Sequence, residues 1–290
     1  ADRVTVFRDA RYIGTWDVDK ISKDELISAM VGREVTQLYP KQAVPIGETA
    51  LEVKGLTKKG YFKDISFDVK KGEIFGLTGL VGAGRSEVCQ GICGLLKPDS
   101  GTILINGEEC SFTHPSQALK KGGGYLPEDR QQQGLILSWE LYRNMTLSTL
   151  DKYNRLIGID TGRERQAGRE LCEKLQIKAK SIFSRADSLS GGNQQKVVFA
   201  KLLNSDVNIL LLDEPCSALD MKNTIAIEET LLELKGKYTF VIVTHNLAQA
   251  KRIADQIIFM DQGRVLEVTD TKTFFEHPSS EPAREQIQYM

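Results

Sequence analysis

The sequence has no long apolar run, no paired cysteines and no excess of charge of either sign. Its apolar stretches fall short of the roughly 20 residues that a transmembrane helix needs, and its first residues hold no signal-peptide core. The five cysteines are an odd number without a CxxC pair, which favours free thiols in a reducing cytosol over disulfides or zinc. We therefore expect a soluble chain that would reach a membrane only through a partner.

The charges nearly cancel, since 38 basic and 39 acidic residues give a net charge of −1. Proteins that bind nucleic acid usually carry a marked excess of basic residues. No nucleic-acid partner is therefore expected, and any polyanion must be bound by a local cluster. The length of 290 residues exceeds the usual domain of about 100 to 200 residues, which predicts one main domain with an attachment.

The two ends of the chain resemble each other. Residues 2–13 align without gaps on residues 255–266, at a constant offset of 253 positions. In each copy two β-rich runs flank a turn, and a polar, helix-prone stretch follows at residues 20–31 and 271–277. Two generic hairpins could match by chance, or the chain could begin inside the tail of a preceding copy of the same domain. Residues 37–48, with Pro40, Pro45 and Gly47, then read as a linker between the copies.

The main domain is predicted to begin at residue 50 and to have an α/β fold. Residues 51–53 and 65–69 alternate apolar and polar side chains, as exposed antiparallel strands do. Residues 209–212, 240–243 and 257–260 are continuous apolar runs separated by helical segments. Strands buried on both faces have this pattern, so we expect a mainly parallel sheet with helices on either side.

A glycine-rich loop, GLVGAGRS at residues 79–86, follows a short apolar strand at residues 74–77 and precedes a helix predicted over residues 86–96. Glycines in this position let successive backbone N–H groups and the helix dipole point at one anion, for which phosphate is the natural candidate. The loop departs from the common pattern, because Arg85 occupies the position of its lysine. The motif alone leaves a structural turn as an equal alternative.

A pair of carboxylates gives the glycine loop a possible chemical context. Asp213 and Glu214 follow the apolar run at residues 209–212 and so lie at the end of a strand where open α/β sheets bind ligands. Asp213 could hold Mg²⁺ together with the Ser86 hydroxyl, and Glu214 could polarise a water molecule for attack on a phosphate. The alternative is a strand that simply ends in solvated charged residues.

Two further motifs make the pattern specific. The sequence LSGGNQQK at residues 189–196 opens a predicted helix with Ser190 as its cap, and Thr244-His245 follows the apolar run at residues 240–243. Together with GLVGAGRS, LLLLDEP and the Ser217-Ala218-Leu219-Asp220 turn, they resemble the nucleotide-binding cassette of ABC transporters in order and spacing. The resemblance covers residues 50 to about 278, and the LSGGQ-type signature is not shared by other phosphate-loop NTPases.

The resemblance implies a fold and a division of the chain. The fold is the P-loop NTPase type of α/β cassette, with a mainly parallel sheet, an antiparallel β subdomain and a helical subdomain at about residues 112–200. Residues 1–36 would be the C-terminal tail of a preceding cassette copy, residues 37–49 a linker and residues 50–290 the cassette. Chromosome-maintenance and DNA-repair ATPases share such motifs, but they separate loop and signature by a long coiled coil, whereas Ser86 and Ser190 are 104 positions apart.

Within the family, the closest likeness changes along the chain. GLVGAGRSE, YLPEDR, GLILSWELYRNMTLSTL and LSGGNQQKV look like the second cassette of tandem bacterial sugar importers of the ribose and galactose type, in which an arginine in the phosphate loop is familiar. After residue 200, LLLDEPCSALD, VIVTHN and FFEHPSSEPAREQ look more like cassettes of phosphate or amino-acid importers. His245 belongs to this departure, because second cassettes of the sugar type often lack it.

The resemblance also implies roles for individual residues. Glu214 would be the general base and His245 a γ-phosphate contact that orients the attacking water. The expected ATP-binding residues are Gly79, Leu80, Val81, Gly82, Ala83, Gly84, Arg85, Ser86 and Glu87, with Tyr61 rather than Phe62 stacking on the base. The expected signature residues, which serve a partner's nucleotide, are Leu189, Ser190, Gly191, Gly192 and Gln194, and Asp220 would couple the two sites. The expected Mg²⁺ ligands are Ser86, Asp213 and Glu128, the last standing where the family has a glutamine.

The expected function is that of an ATPase in a two-cassette assembly on the cytoplasmic side of the inner membrane. Its implied partners are a second cassette, which would be a tandem copy or another copy of this chain, a membrane permease and, indirectly, a substrate-binding protein. The transported solute is expected to be a sugar. Arg85 retains the positive charge of the loop but is bulkier than lysine, so we expect ATP binding with slow hydrolysis. The alternative is a cassette that binds ATP structurally or allosterically while turnover occurs at the other composite site.

Overall fold

The N-terminal part of the chain forms a hairpin followed by a helix. The computed structural model describes residues 2–8, 10–32 and 45–288. Strand β1 (Arg3–Arg8) pairs antiparallel with β2 (Arg11–Asp17), and helix α1 covers Lys23–Val31. The helix begins at residue 23 rather than 20, because Ser22 and Glu25 form a capping box there and a single 3-10 turn precedes it. Residues 33–44, which include most of the predicted linker, lie outside the described residues.

Strands and helices alternate through the remainder of the chain. The strands are β3 (Thr49–Lys58), β4 (Phe62–Lys70), β5 (Ile74–Gly79), β6 (Ser100–Ile105), β7 (Glu108–Cys110), β8 (Gly123–Leu126), β9 (Ile209–Asp213), β10 (Thr239–Val243), β11 (Gln256–Asp261) and β12 (Arg264–Asp270). The helices are α2 (Arg85–Ile92), α3 (Pro115–Lys120), α4 (Leu141–Thr146), α5 (Thr161–Lys174), α6 (Gly191–Leu203), α7 (Met221–Leu234), α8 (Leu247–Ile253), α9 (Thr271–Glu276) and α10 (Glu281–Gln288). Short helical turns also occur at Arg130–Gly134, Leu147–Tyr153 and Ala186–Ser188.

The central sheet has the strand order β12-β11-β5-β10-β9-β8. Strands β11, β5, β10, β9 and β8 run parallel, and β12 pairs antiparallel with β11 at one edge. Every residue of β5, β9 and β10 is buried, as continuous apolar strands covered on both faces must be. The predicted mainly parallel α/β fold is confirmed.

The central sheet separates two apolar cores. Leu210 and Leu212 of β9 face helices α4 to α8 in one core, while Ile209 and Leu211 face the antiparallel layer and α2 in the other. This alternation follows from the two-residue period of a strand. The antiparallel layer has the order β4-β3-β6-β7. Asn106 and Gly107, both in the left-handed region, form its tight turn between β6 and β7, as the Asn-Gly pair predicts.

Two boundaries differ from those that the sequence predicts. Helix α2 ends at Ile92 instead of residue 96, because Gly94 takes the left-handed conformation, at φ 73°, and turns the chain. Residues 123–126 fall within the predicted helical stretch at 112–200, yet they form β8 and pair with β9 in the central sheet. The chain therefore crosses back to the sheet before it builds the helices α4, α5 and α6.

The two hairpins at the ends of the chain have the same register. Arg3 faces Asp17 in the first, and Gln256 faces Asp270 in the second, which are equivalent positions at the offset of 253. Each hairpin carries an irregularity at the equivalent place, between Val6 and Phe7 and between Phe259 and Met260. The similarity of the sequences thus extends to strand pairing. Along the described residues no helix is long and apolar enough to cross a bilayer.

Candidate nucleotide-binding site

The glycine loop, the paired carboxylates and His245 converge where the parallel strands β5, β9 and β10 end. Strand β5 ends at Gly79 and leads through the glycine loop into α2, which begins at Arg85. Strand β9 ends at Asp213, and β10 ends at Val243, directly before Thr244 and His245. Because neighbouring parallel strands present their carboxyl ends at the same edge of a sheet, their following residues come together there.

The glycine loop has a backbone that side chains would obstruct. Gly79 has φ 144°, and a Cβ atom there would overlap the carbonyl oxygen of Met260 on β11. Gly84, at φ 84°, would bring a Cβ within 2.7 Å of the carbonyl oxygen of Tyr61. Val81, at the tip between them, is 89% exposed. The loop is therefore packed closely against the protein at both ends and open to solvent at its centre.

Asp213 is held on both of its oxygens. The Ser86 hydroxyl donates to Oδ1 at 2.8 Å, and the Tyr125 hydroxyl, on β8, donates to Oδ2 at 2.7 Å. Burial raises the pKa of the Asp213 carboxyl, although both hydrogen bonds oppose the shift. Burial and the neighbouring Asp213 also raise the pKa of Tyr125, which keeps its hydroxyl a donor. Tyr125 is a site residue that sequence reasoning missed, because only the pairing of β8 with β9 brings its hydroxyl to Asp213.

The donor set suits Mg²⁺ better than a metal held by the protein alone. Within the described part of the chain, no group of three or more His, Cys, Asp or Glu side chains could hold a metal ion. Mg²⁺ commonly uses one or two protein oxygens and takes its other ligands from water and phosphates. The adjacent hydroxyl of Ser86 and carboxylate of Asp213 match that chemistry. Glu128 is exposed and lines the same cleft.

Glu214 contacts His245 and lies near Arg85. Its Oε1 atom accepts from the His245 backbone N–H at 2.9 Å and lies 2.8 Å from His245 Nδ1. The Arg85 guanidinium is 7% exposed; its Nη1 lies 3.9 Å from Glu214 Oε1 and has no hydrogen-bond partner. Burial lowers the pKa of Arg85, while Glu214 and Asp213 oppose that shift. Glu214 has φ 44°, a strained conformation for a non-glycine residue that is typical of functional sites.

A cleft of about 310 Å³ lies against the glycine loop. Its lining comprises Val81, Gly82, Ala83, Gly84, Arg85, Ser86, Glu87, Glu128, Glu214 and His245. Tyr61 is 49% exposed beside the loop, where its carbonyl approaches Gly84, whereas Phe62 is 3% exposed and belongs to the core. Of the two aromatic residues considered for stacking on a base, Tyr61 alone is available to a ligand.

The signature residues lie outside this cleft. Ser190 occupies the N-cap position of α6, as predicted, but its hydroxyl accepts from the Asn193 side chain at 3.0 Å instead of capping a backbone N–H. Gly192 is buried under α7, where a Cβ would overlap Asn223. Gln194 points inward, donating to the Ala186 carbonyl and accepting from Gln131. The first turn of α6 therefore presents Ser190 and Gly191 outward, while Gln194 anchors the helix from within.

Asp220 caps the helix that follows the paired carboxylates. It accepts from the Asn223 backbone N–H at 2.8 Å and from its side chain at 2.7 Å, at the N-terminus of α7. The turn before it includes Ala218 in the left-handed region, at φ 55°. Asp220 thus fixes the shape of the turn that joins the cleft to the signature side of the molecule.

Known proteins are similar to this chain over most of its length. A family model described as ABC transporter matches residues 62–217. The chain is 40% identical over 264 residues to a putative ribose/galactose/methyl galactoside import ATP-binding protein of Geobacillus kaustophilus, covering 91% of this chain and 52% of that protein. A relative of the same description from Rhizobium meliloti is 38% identical over 272 residues, covering 93% and 53%. The chain spans about half the length of these curated relatives.

Solved structures show the same fold. An ATP-binding cassette of an ABC transporter in its ADP conformation superposes with a TM-score of 0.70 at 21% identity, covering 83% of this chain and 99% of that one. A dimeric bacterial ABC transporter cassette gives a TM-score of 0.64 at 26% identity, covering 76% and 98%. The parallel sheet, antiparallel layer and helices of this chain are thus those of a cassette.

Proposed function

The chain belongs to the ABC transporter family, and from this premise we propose that it binds ATP in the cleft at the glycine loop and hydrolyses it to ADP and phosphate. One observation supports the proposal most strongly. Ser86 donates to Asp213 and Glu214 contacts His245, and Ser86, Glu214 and His245 line the same cleft as the glycine loop. A phosphate chain in the loop would therefore meet both the Ser86 hydroxyl and a candidate general base, Glu214.

The side chains divide the chemistry between them. The amides of the glycine loop and the guanidinium of Arg85 bind phosphate oxygens, and Ser86 with Asp213 holds Mg²⁺, which would offset the negative charge of the phosphates. Glu214 accepts a proton from the attacking water, and His245, which lies against the Glu214 carboxylate, contacts the γ-phosphate and orients that water. Tyr61 offers an exposed ring on which the adenine of ATP can stack. Leu80 and Glu87 complete the proposed ATP-binding segment.

We propose further that the site is completed by a second cassette. Ser190 and Gly191 present the N-terminal turn of α6 to solvent on a surface separate from the cleft. Backbone N–H groups at a helix N-terminus bind anions, so this surface, with Leu189 and Gly192, suits the γ-phosphate of a nucleotide held by a partner. The Asp220 turn lies between the cleft and this surface and would couple the two sites.

The transport role rests on the relatives. Their names describe import ATP-binding proteins for ribose, galactose and methyl galactoside, and we propose that this chain likewise powers solute import, with a sugar as cargo. It would act with a permease at the cytoplasmic side of the inner membrane and, indirectly, with a substrate-binding protein. The shared hairpin register supports residues 1–36 as the tail of a preceding cassette, 37–49 as a linker and 50–290 as the cassette.

A second candidate is a cassette that binds ATP without turning it over. Arg85 favours it, because its planar guanidinium is bulkier than a lysine ammonium and approaches phosphate oxygens differently, and it lies buried beside Glu214. In that case the nucleotide would have a structural or allosteric role, with hydrolysis at the other composite site.

ATP titration and hydrolysis of the purified chain test both candidates. Wild type should bind ATP and release phosphate; Glu214→Gln should bind ATP with similar affinity but lose about 10²-fold to 10⁴-fold in rate, the usual contribution of a general base. Arg85→Lys is the matched variant, since it keeps the charge and should retain turnover. ATP binding without turnover at any protein concentration would favour the second candidate, and no ATP binding would overturn both.

A further inference from the structure

Arg130 lies on the signature side of the molecule, between two motifs that the proposed function assigns to the partner's nucleotide. It begins the short helical turn Arg130–Gly134, which follows β8. Its Nη1 donates to the Ser217 carbonyl at 3.0 Å, in the turn that precedes Asp220. Its Nη2 is so close to Gly191 that a Cβ there would lie 2.8 Å away. The guanidinium therefore rests directly on the first residue of α6.

The position of this guanidinium is firmly held. Gln131, the next residue, donates from its side chain to Gln194 inside α6 at 3.1 Å. The Asp129 carboxylate accepts from the backbone N–H groups of Gln131 and Gln132, both at 3.0 Å, which closes the turn. Arg130 is thus fixed from both sides before any ligand binds, which reduces the entropy lost on binding.

The charge of Arg130 is not neutralised locally. No carboxylate in the described part of the chain lies within ion-pair distance of its guanidinium, and its Nε is buried without a hydrogen-bond partner. A helix N-terminus carries a partial positive charge, so a cation placed beside it is unfavourable in the absence of an anion. The arrangement becomes favourable when one anion binds both the Arg130 guanidinium and the N-terminus of α6.

We propose that Arg130 binds the terminal phosphate of the nucleotide held by the second cassette. This inference rests on the proposed function. The Arg130 guanidinium would bind the same phosphate as the backbone N–H groups of Ser190 and Gly191. A guanidinium can donate two parallel hydrogen bonds to phosphate oxygens. The hydrogen bond from Arg130 to the Ser217 carbonyl would link phosphate binding to the turn at Asp220. Residue 191 must be a glycine, because a side chain there would collide with the Arg130 guanidinium.

The alternative is that Arg130 only supports the Ser217 turn. Supporting the Ser217 turn requires a hydrogen-bond donor but no positive charge, whereas binding phosphate requires the charge. The two roles therefore respond differently to substitution of Arg130. Arg130→Gln keeps a neutral donor and removes the charge, whereas Arg130→Lys keeps the charge and loses the planar fork. If Arg130 binds phosphate, Lys should restore part of the function and Gln should not. If it only supports the turn, Gln should match Lys or exceed it.

The first measurement is ATP-driven association of chains that carry Glu214→Gln, followed by analytical ultracentrifugation. Adding Arg130→Gln should weaken association by about 10-fold to 100-fold, as expected for loss of a charged hydrogen bond, while ATP affinity of the single chain stays unchanged. Arg169→Gln, on the exposed face of α5, is the matched control for removal of one positive charge. Unchanged association for Arg130→Gln would overturn the inference and leave the proposed function standing.

The second measurement tests on which nucleotide Arg130 acts. An assembly is formed from one chain with Arg130→Gln and one with Glu214→Gln, and its ATPase rate is compared with that of wild type. If Arg130 serves the partner's nucleotide, one composite site remains intact and the rate should be about half of wild type. If Arg130 serves its own chain's nucleotide, both sites are damaged and the rate falls to background. Chains that stay monomeric in ATP would overturn the two-cassette premise itself.

Discussion

The carboxylate of Asp213 shows how single residues set the geometry of the cleft. Ser86 holds one of its oxygens and Tyr125 the other, so the side chain cannot rotate without breaking a hydrogen bond. Because the Tyr125 hydroxyl remains protonated, it acts as a permanent donor to Oδ2. Oδ1, which accepts from the Ser86 hydroxyl, is therefore the oxygen of Asp213 that we propose for Mg²⁺.

Removing the Tyr125 hydroxyl should loosen this arrangement. In Tyr125→Phe we expect the Mg²⁺ concentration for half-maximal ATPase rate to rise several-fold, because Asp213 can then turn away from the cleft. The free energy of unfolding should fall by about 1–3 kcal/mol, the cost of leaving a buried acceptor unpaired. A Mg²⁺ titration of the ATPase rate, together with denaturant unfolding, measures both effects.

Tyr153→Phe is the matched control for that variant. Tyr153 is buried, and its hydroxyl donates to Asn204 at 3.0 Å, away from the cleft. It should lower stability without shifting the Mg²⁺ dependence. An equal shift in both variants would show that Tyr125 acts only through the stability of the fold.

At the scale of secondary structure, the sequence predicted the strands better than the contacts between them. Continuous apolar runs identified β9, β10 and β11, because strands buried on both faces need no polar side chains. Strand β8 was missed, since Gly123-Gly124-Tyr125-Leu126 has neither an apolar run nor strict alternation. The role of Tyr125 was missed for the same reason: only the pairing of β8 with β9 brings its hydroxyl to Asp213.

The glycine loop was predicted correctly as an element, but its motif could not show which glycines the packing requires. Gly79 has a carbonyl oxygen of β11 in the place of a Cβ, whereas Gly82 has open space around it. Likewise, the signature motif indicated the start of α6 but not that Gln194 faces inward, because that depends on Gln131 from a distant part of the chain.

Alanine at these two glycines should therefore have different effects. Gly79→Ala should lower the free energy of unfolding by more than about 2 kcal/mol and abolish ATP binding, because β5 and β11 must move apart. Gly82→Ala, at φ 81° with no atom near the new Cβ, should cost only about 1–2 kcal/mol for its left-handed backbone. Thermal unfolding and ATP titration compare the pair, and equal losses would contradict the packing argument.

At the scale of the whole molecule, the N-terminal hairpin is an attachment to the cassette. Helix α1 packs on α7, and Ile27 lines a cavity together with Glu214, Cys216 and His245. Among the side chains that the structure describes in this segment, none from the hairpin or α1 belongs to either apolar core. Helix α1 therefore connects the hairpin to the cassette near the cleft, while the described residues of both contribute nothing to the two apolar cores.

Deleting residues 1–44 should leave a folded cassette. We expect a single cooperative unfolding transition with a midpoint close to that of the whole chain, because both cores are retained. Circular dichroism during thermal unfolding measures this, with ATP titration as a second readout. Loss of the cooperative transition would contradict the assignment of residues 1–36 to a preceding copy.

The central claim is that the ATP site is composite, with the glycine loop and Glu214 supplied by one cassette and the signature turn by another. The most direct test is the ATPase rate per chain measured against the concentration of purified wild-type protein, with Glu214→Gln as the blank. A composite site predicts that the rate per chain rises with concentration and levels off once the chains are paired. A constant, Glu214-dependent rate per chain from the lowest concentration upward, in a protein shown to be monomeric, would contradict the account.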